Sequence, residues 1–157
     1  MAFGMTMVFS PVLSPYKTEI MHLYKEAYPG RGQKKAQLLS SLIDAPTIAG
    51  ATCHSDNIFA GFILAQLSNS SGDIIEIITT PSFRRRGIAS GLLNAVTSLL
   101  QNKQILELFL EVSADNHGAQ ALYIKNGFVR VGKRDLYYRR QGHFVDAIVM
   151  KKKIMGS

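Results

Sequence analysis

Between Asp73 and Leu100 the hydrophobic pattern changes period, which dictates a strand that feeds a helix through a basic turn. Asp73-Ile74-Ile75-Glu76-Ile77-Ile78-Thr79-Thr80 has the apolar, β-branched content of a buried strand. Ile88, Leu92, Leu93, Val96, Leu99 and Leu100 then recur at helical spacing and form one apolar stripe. Arg84, Arg85, Arg86 and Gly87 occupy the junction, and Gly91 follows in the first turn. A glycine turn opening a helix leaves backbone N–H groups unpaired and gathers the positive end of the helix dipole. Such a place binds phosphate, and nearby arginines strengthen the field. On this segment alone, a basic loop that merely faces solvent is an equally open reading. The glycines are not followed by Lys-Ser or Lys-Thr, and no G-x-G-x-x-G is present, so neither a Walker loop nor a dinucleotide fingerprint applies.

The chain's 157 residues suit a single domain over residues 1–157, large enough for one hydrophobic core. Its 46% hydrophobic and 18% charged composition is that of an ordinary globular protein. Cys53 is the lone cysteine, which excludes an internal disulfide and points to a reducing, cytoplasmic setting. The four histidines lack H-x-x-H or C-x-x-C company, so no metal is expected. The N-terminus lacks the features of a signal peptide, and the apolar run 58–67 is too short to span a membrane. A net charge of +7 favours polyanionic partners such as nucleic acid, the ribosome or a phosphorylated small molecule.

Periodicity and turn chemistry predict strands at 6–13, 46–53, 58–67, 73–80, 105–113, 128–138 and 143–152. Helices are predicted at 15–28, 33–43, 88–102 and 117–126, the last capped by Asn116 and ended at Asn126-Gly127. The resulting order, β-α-α-β-β-β-α-β-α-β-β, mixes hairpins with helical crossovers. It predicts an α/β domain whose central sheet has both parallel and antiparallel neighbours.

The second half adds candidate chemistry. Glu111 lies in Leu106-Glu107-Leu108-Phe109-Leu110-Glu111-Val112, a strand apolar enough to predict burial, and burial would raise the carboxyl towards the range of a neutral-pH base. Asn116, Ala119, Leu122 and Tyr123 share a helix face, so Asn116 and Tyr123 should look into the same space. Each also has a plain structural reading: a carboxylate reaching water beside an arginine, a helix cap, and an amphipathic core residue.

Together these residues resemble the GNAT N-acetyltransferases, whose motif A is Gln/Arg-x-x-Gly-x-Gly/Ala; here it reads Arg84-x-x-Gly87-x-Ala89. Leu110-Glu111-Val112-Ser113-Ala114-Asp115-Asn116, followed by Ala121-Leu122-Tyr123-x-x-x-Gly127-Phe128, is similar to the L-E-V-x-x-x-N…A-L-Y-x-x-x-G-F of the RimI subfamily, which acetylates protein N-termini. Arg134-x-x-Tyr137-Tyr138 and Asp146-Ala147-Ile148-Val149-Met150 extend the likeness, which runs over about residues 59–150.

The resemblance implies a GNAT fold, a mixed and largely antiparallel sheet with splayed parallel strands and flanking helices. It implies acetyl-CoA as donor, with no metal. Backbone groups of Ile77, Ile78 and Thr79 would hold the pantetheine and thioester. Arg84, Arg85, Arg86, Gly87, Ile88, Ala89 and Ser90 would form the pyrophosphate turn, and Asn116 would touch the cofactor. The family's general base falls on Glu111 and its general acid on Tyr123, while Tyr137 and Tyr138 are candidates for gripping the acceptor. Glu76 matches the base of other GNAT branches and is the rival to Glu111.

The implied acceptor is a protein N-terminus, in the namesake case the alanine that begins a ribosomal protein. An α-amine near ~7.7–8.0 is partly neutral at pH 7, whereas a lysine near ~10.4 is almost wholly charged, so a carboxylate base needs only a modest push. An acetyltransferase acting on a lysine or small amine is the second reading. A basic RNA- or ribosome-binding module using Tyr137-Tyr138-Arg139-Arg140 is the third, without sequence-specific nucleic-acid recognition. Ile77-Ile78-Thr79-Thr80-Pro81 departs from the family's usual I-A-V-D-P, and Arg139 replaces a frequent proline. The first third, which shapes the acceptor groove, shows little likeness.

Overall fold

A computed structural model describes residues 5–140 and 142–154. The first four residues, on which the absence of a signal peptide partly turned, lie outside the described residues. The elements follow the predicted order. They are β1 (Met7–Ser10), α1 (Lys17–Ala27), α2 (Gln33–Leu42), β2 (Ile48–Ser55), β3 (Ile58–Ser68), β4 (Ser71–Thr79), α3 (Ile88–Asn102), β5 (Glu107–Ser113), α4 (His117–Lys125), β6 (Val129–Arg140) and β7 (His143–Lys153). One seven-stranded sheet runs β1-β2-β3-β4-β5-β7-β6, and every neighbouring pair except β4-β5 is antiparallel.

Turn chemistry fixes the hairpins more tightly than expected. Asp56 and Asn57 both take positive φ, 49° and 67°, so β2 continues to Ser55 and the turn shrinks to two residues. Asn69, at φ 54°, likewise lets β3 reach Ser68 and β4 begin at Ser71. At the N-terminus, β1 stops at Ser10 and the first helix begins with a short 3-10 turn, Ser14–Tyr16, before α1.

Alternation along the strands sends side chains to two cores. On one face, Ile88, Leu92, Leu93, Val96 and Leu100 of α3 meet Ala51, Ile63 and Ala65 together with Leu108, Leu110, Val112 and Met150. On the other, Phe62, Leu64 and Ile78 receive Ile20, Leu23, Tyr24, Ala36 and Leu39 of α1 and α2. Leu92 and Phe62 are wholly buried. Truncating either to alanine would cost about 2–5 kcal/mol.

The site follows from one interruption. β4 and β5 pair only through Ser71–Asp73 with Glu107–Phe109, and beyond Asp73 the two strands part. The upper half of β4 is left paired to β3 alone, over Glu76 to Thr79. A parallel pair that opens in this way exposes main-chain groups of both strands to whatever enters between them.

Candidate active site

The turn after β4 is shaped by backbone conformation. Thr80 N–H bonds Ala60 O at 2.8 Å, and Phe83 N–H bonds Thr80 O at 2.8 Å, closing a 3-10 turn over Pro81–Phe83. Arg85 and Gly87 are left-handed, with φ of 62° and 79°. Gly91 N–H to Gly87 O, at 3.0 Å, is the first bond of α3, and among the described residues no side chain caps that helix. The N–H groups of Ile88, Ala89 and Ser90 therefore lack intrahelical partners and carry the dipole's positive end. Arg84, Arg85 and Arg86 stand exposed around them. A Cβ on Gly87 would meet nothing within 4 Å, so its positive φ is what demands glycine. Gly91 serves another purpose: a Cβ there would fall 2.1 Å from Cζ of Phe9, so this glycine seats β1 against α3.

Beside this turn, the parted strands form a cleft of about 1010 Å³. Of the residues expected from sequence, Ile77, Thr79, Ala89, Glu111, Asn116, Tyr123, Tyr137 and Tyr138 all line it. The shared face foreseen on α4 is realised, because Asn116, Ala119, Leu122 and Tyr123 all border the cleft. Asn116 is also the cap of α4, accepting Ala119 N–H on Oδ1 at 3.1 Å. Ile78 turns its side chain into the α1–α2 core and Ile88 is 1% exposed, so both can offer only main-chain atoms.

The carboxylates correct the sequence reading. Glu111 is not buried: it is on the face of β5 opposite Leu110 and Val112, and Nη1 of Arg134 lies 3.0 Å and 3.2 Å from its two oxygens. The strand's apolar count concealed this because alternate residues of β5 face the open cleft. The buried carboxylate is Glu76, with an 11% exposed side chain. Tyr28 donates its hydroxyl to Oε1 of Glu76 at 2.7 Å, and Arg31 Nη1 stands 3.8 Å from Oε2. Burial pushes the Glu76 carboxyl above its ordinary range, opposed by the Tyr28 hydrogen bond and the Arg31 charge. Asp73 is also raised, by burial and then by the nearby Glu111 charge.

Tyr123 is buried as expected. Burial pushes its phenol up to about 12, helped by the negative Glu76 and by Tyr138, so it keeps its proton throughout the neutral range. Tyr28 and Arg31, to which the sequence reading gives no role in the site, complete the wall. The Arg31 guanidinium stacks 3.6 Å from the Tyr28 ring centre and donates to the Tyr24 hydroxyl at 3.3 Å. The Pro29-Gly30 break between them was the available signal: it marks a loop, and a loop beside a sheet is where binding side chains gather. At the mouth, Arg134 stacks 3.9 Å over Tyr137, whose ring lies 5.1 Å from that of Tyr138. Three carboxylates, Asp73, Glu76 and Glu111, thus face three arginines, Arg31, Arg134 and Arg139, in the cleft of a chain of charge +7.

The chemistry of the turn suits a diphosphate, with uncapped N–H donors, a glycine at positive φ and three exposed arginines; the parted strands suit an extended chain entering between them. Among the described residues there is no cluster of three or more metal-ligating side chains. The mixed sheet with its flanking helices matches the GNAT fold expected from the sequence. The chain belongs to the acetyltransferase (GNAT) family, whose model matches residues 17–128 and so reaches into the first third as well. It is 36% identical over 97 residues to a [ribosomal protein bS18]-alanine N-acetyltransferase of Salmonella typhimurium, a match covering 61% of this chain and 65% of that relative's length. Its fold is similar to the crystal structure of the ribosomal-protein-S18-alanine N-acetyltransferase from Escherichia coli, with a TM-score of 0.87 and 22% identity over 97% of this chain and 96% of that one. An aminoglycoside 6'-N-acetyltransferase complexed with coenzyme A shares the fold at a TM-score of 0.82 and 16% identity, covering 96% and 98% of the two chains.

Proposed function

We propose that this protein transfers the acetyl group of acetyl-CoA to the α-amine of a protein N-terminus, with an N-terminal alanine of a ribosomal protein as the first acceptor to try. One observation carries the reading. The open β4–β5 pair, the uncapped start of α3, Tyr123 and two carboxylates of different burial converge on a single cleft. The Salmonella relative's acceptor supports the choice of an α-amine.

In this reading the main chain of Ile77, Ile78 and Thr79 holds the pantetheine and polarises the thioester carbonyl. Arg84, Arg85, Arg86, Gly87, Ile88, Ala89 and Ser90 hold the diphosphate, and Asn116 borders the cofactor from α4. Tyr137 and Tyr138 flank the acceptor's first residues. The proton acceptor is Glu111. It faces solvent at the rim, so it can take the amine's proton through water and return it to bulk each turnover. Both carboxylates are paired, Glu111 with Arg134 and Glu76 with Tyr28 and Arg31; what sets Glu76 apart is that it is shut away from the rim, where it anchors the loop between α1 and α2. The neutral amine attacks the thioester carbon, and strand N–H groups stabilise the oxyanion. The carbon–sulfur bond then breaks. Tyr123, raised to about 12, donates a hydrogen bond to the departing sulfur, which leaves as a thiolate because its thiol titrates near ~8.5, and the thiolate then takes a proton from solvent.

The test is mass spectrometry of a peptide panel incubated with acetyl-CoA, varied at the first residue and matched with lysine-bearing peptides blocked at the N-terminus. Acetylation of the free α-amine alone is expected. Modification confined to the lysines overturns the acceptor assignment, and no acetyl-CoA binding by calorimetry overturns the enzyme.

A further inference from the structure

We propose that Asp146 is a positioning residue that sets the acceptor end of the cleft by pinning a two-residue bulge in β6, an inference that rests on the acceptor reading above. Pairing of β6 with β7 jumps from Arg134↔Ala147 to Tyr138↔Val145, so Asp135, Leu136 and Tyr137 stand opposite Asp146 alone. Leu136 takes a φ of 50°, a conformation a leucine holds only where its surroundings impose it. The imposing contact comes from β7. Asp146 Oδ1 accepts Leu136 N–H at 2.8 Å, while Lys133 Nζ lies 3.2 Å from Asp135 Oδ1 and 3.7 Å from Asp146 Oδ2. Ala114 N–H bonds Asp146 O at 2.8 Å, which ties the pin to the loop between β5 and α4.

The bulge decides where functional side chains go. A bulge bends its strand and re-aims the residues beside it. Here the flanking positions are Arg134, which holds Glu111 and stacks on Tyr137, and Tyr137 and Tyr138, which line the cleft. Asp146 does not line the cleft; its effect reaches the acceptor only through the β6 backbone. The turn that holds the diphosphate belongs to β4 and α3 and has no share in this contact.

The experiment measures steady-state kinetics for a free α-amine peptide with wild type, Asp146→Ala and Asp146→Asn, alongside amide hydrogen exchange at Leu136. Asp146→Ala should raise the acceptor KM about tenfold, within the worth of a hydrogen bond to a charged group, and leave the acetyl-CoA KM within about twofold. Leu136 N–H should lose protection in the same variant. Asp146→Asn, which keeps an oxygen acceptor at that place, should recover most of both. Asp146→Ser, too short to reach the amide, is the alternative if Asp146→Ala does not fold, and must show the same KM pattern. A variant that only melts earlier, with acceptor KM and Leu136 exchange unmoved, overturns the proposal. A wild-type protein that acetylates no amine sinks the function instead, and Leu136 exchange, which needs no substrate, still decides the pin.

Discussion

The two ends of the cleft are built in opposite ways. The proposed diphosphate end is made by one continuous segment, β4 through the first turn of α3, and depends on main-chain donors and on two residues at positive φ, Arg85 and Gly87. The proposed acceptor end is assembled from the loop after α1, β4, β5 and β6, and depends on side chains held by other side chains: Tyr28 on Glu76, Arg134 on Glu111, Tyr137 on Arg134. A cofactor shared by a whole family can be met by fixed backbone geometry. An acceptor that varies between relatives is met by contacts that single substitutions can rearrange.

If that contrast is right, the largest effect should come from backbone conformation. Gly87→Val places a β-branched residue at φ 79° and should weaken acetyl-CoA binding about a hundredfold by calorimetry, about 2.7 kcal/mol. Unchanged affinity would mean the turn is not the diphosphate site. Tyr123→Phe comes next, with kcat lower by about 10²-fold and acetyl-CoA affinity near normal, since only the donor to sulfur is lost. Glu111→Gln should lower kcat by about tenfold or more while sparing the cofactor. If Glu76→Gln produces that loss instead, the proton acceptor is misassigned and the acceptor end is organised around the buried carboxylate.

The smallest effect concerns pH. Burial holds Glu76 above the ordinary carboxylate range, so the folded chain binds that proton more tightly than the unfolded one. Its contribution to stability therefore declines as pH rises through the window above the ordinary value. Glu76→Gln removes the titration, so its melting temperature relative to wild type should climb as pH rises above the ordinary glutamate value. A constant difference across that window would show that Glu76 titrates as an exposed carboxylate does.

The same contrast explains what could be read from sequence. Element order, the buried stripe of α3 and the α4 face with Asn116 and Tyr123 all follow from local periodicity, and the structure shows them. The apolar count of β5 predicts a buried Glu111 and fails because it says how much of a strand is covered, not that this strand leaves β4 after Phe109. Tyr28 and Arg31 could not be tied to Glu76 from sequence, since 48 residues separate Tyr28 from its partner. The β6 bulge depends on a carboxylate of β7 and on a leucine with no propensity for its conformation. Contacts between distant segments leave no periodic trace.

The short pairing of β4 with β5 makes the sheet two half-sheets joined by a narrow seam, β1 to β4 on one side and β5, β7 and β6 on the other. The core under α3 crosses that seam, whereas among the described residues the core on the opposite face stays within the β1–β4 half. Flexing about it should therefore open towards α1 and α2, with the diphosphate turn riding on one half and Tyr123, Tyr137 and Tyr138 following the other. A molecule lying along the seam would act as a missing rung, so occupancy by the donor should stiffen the whole protein and not the binding loop alone.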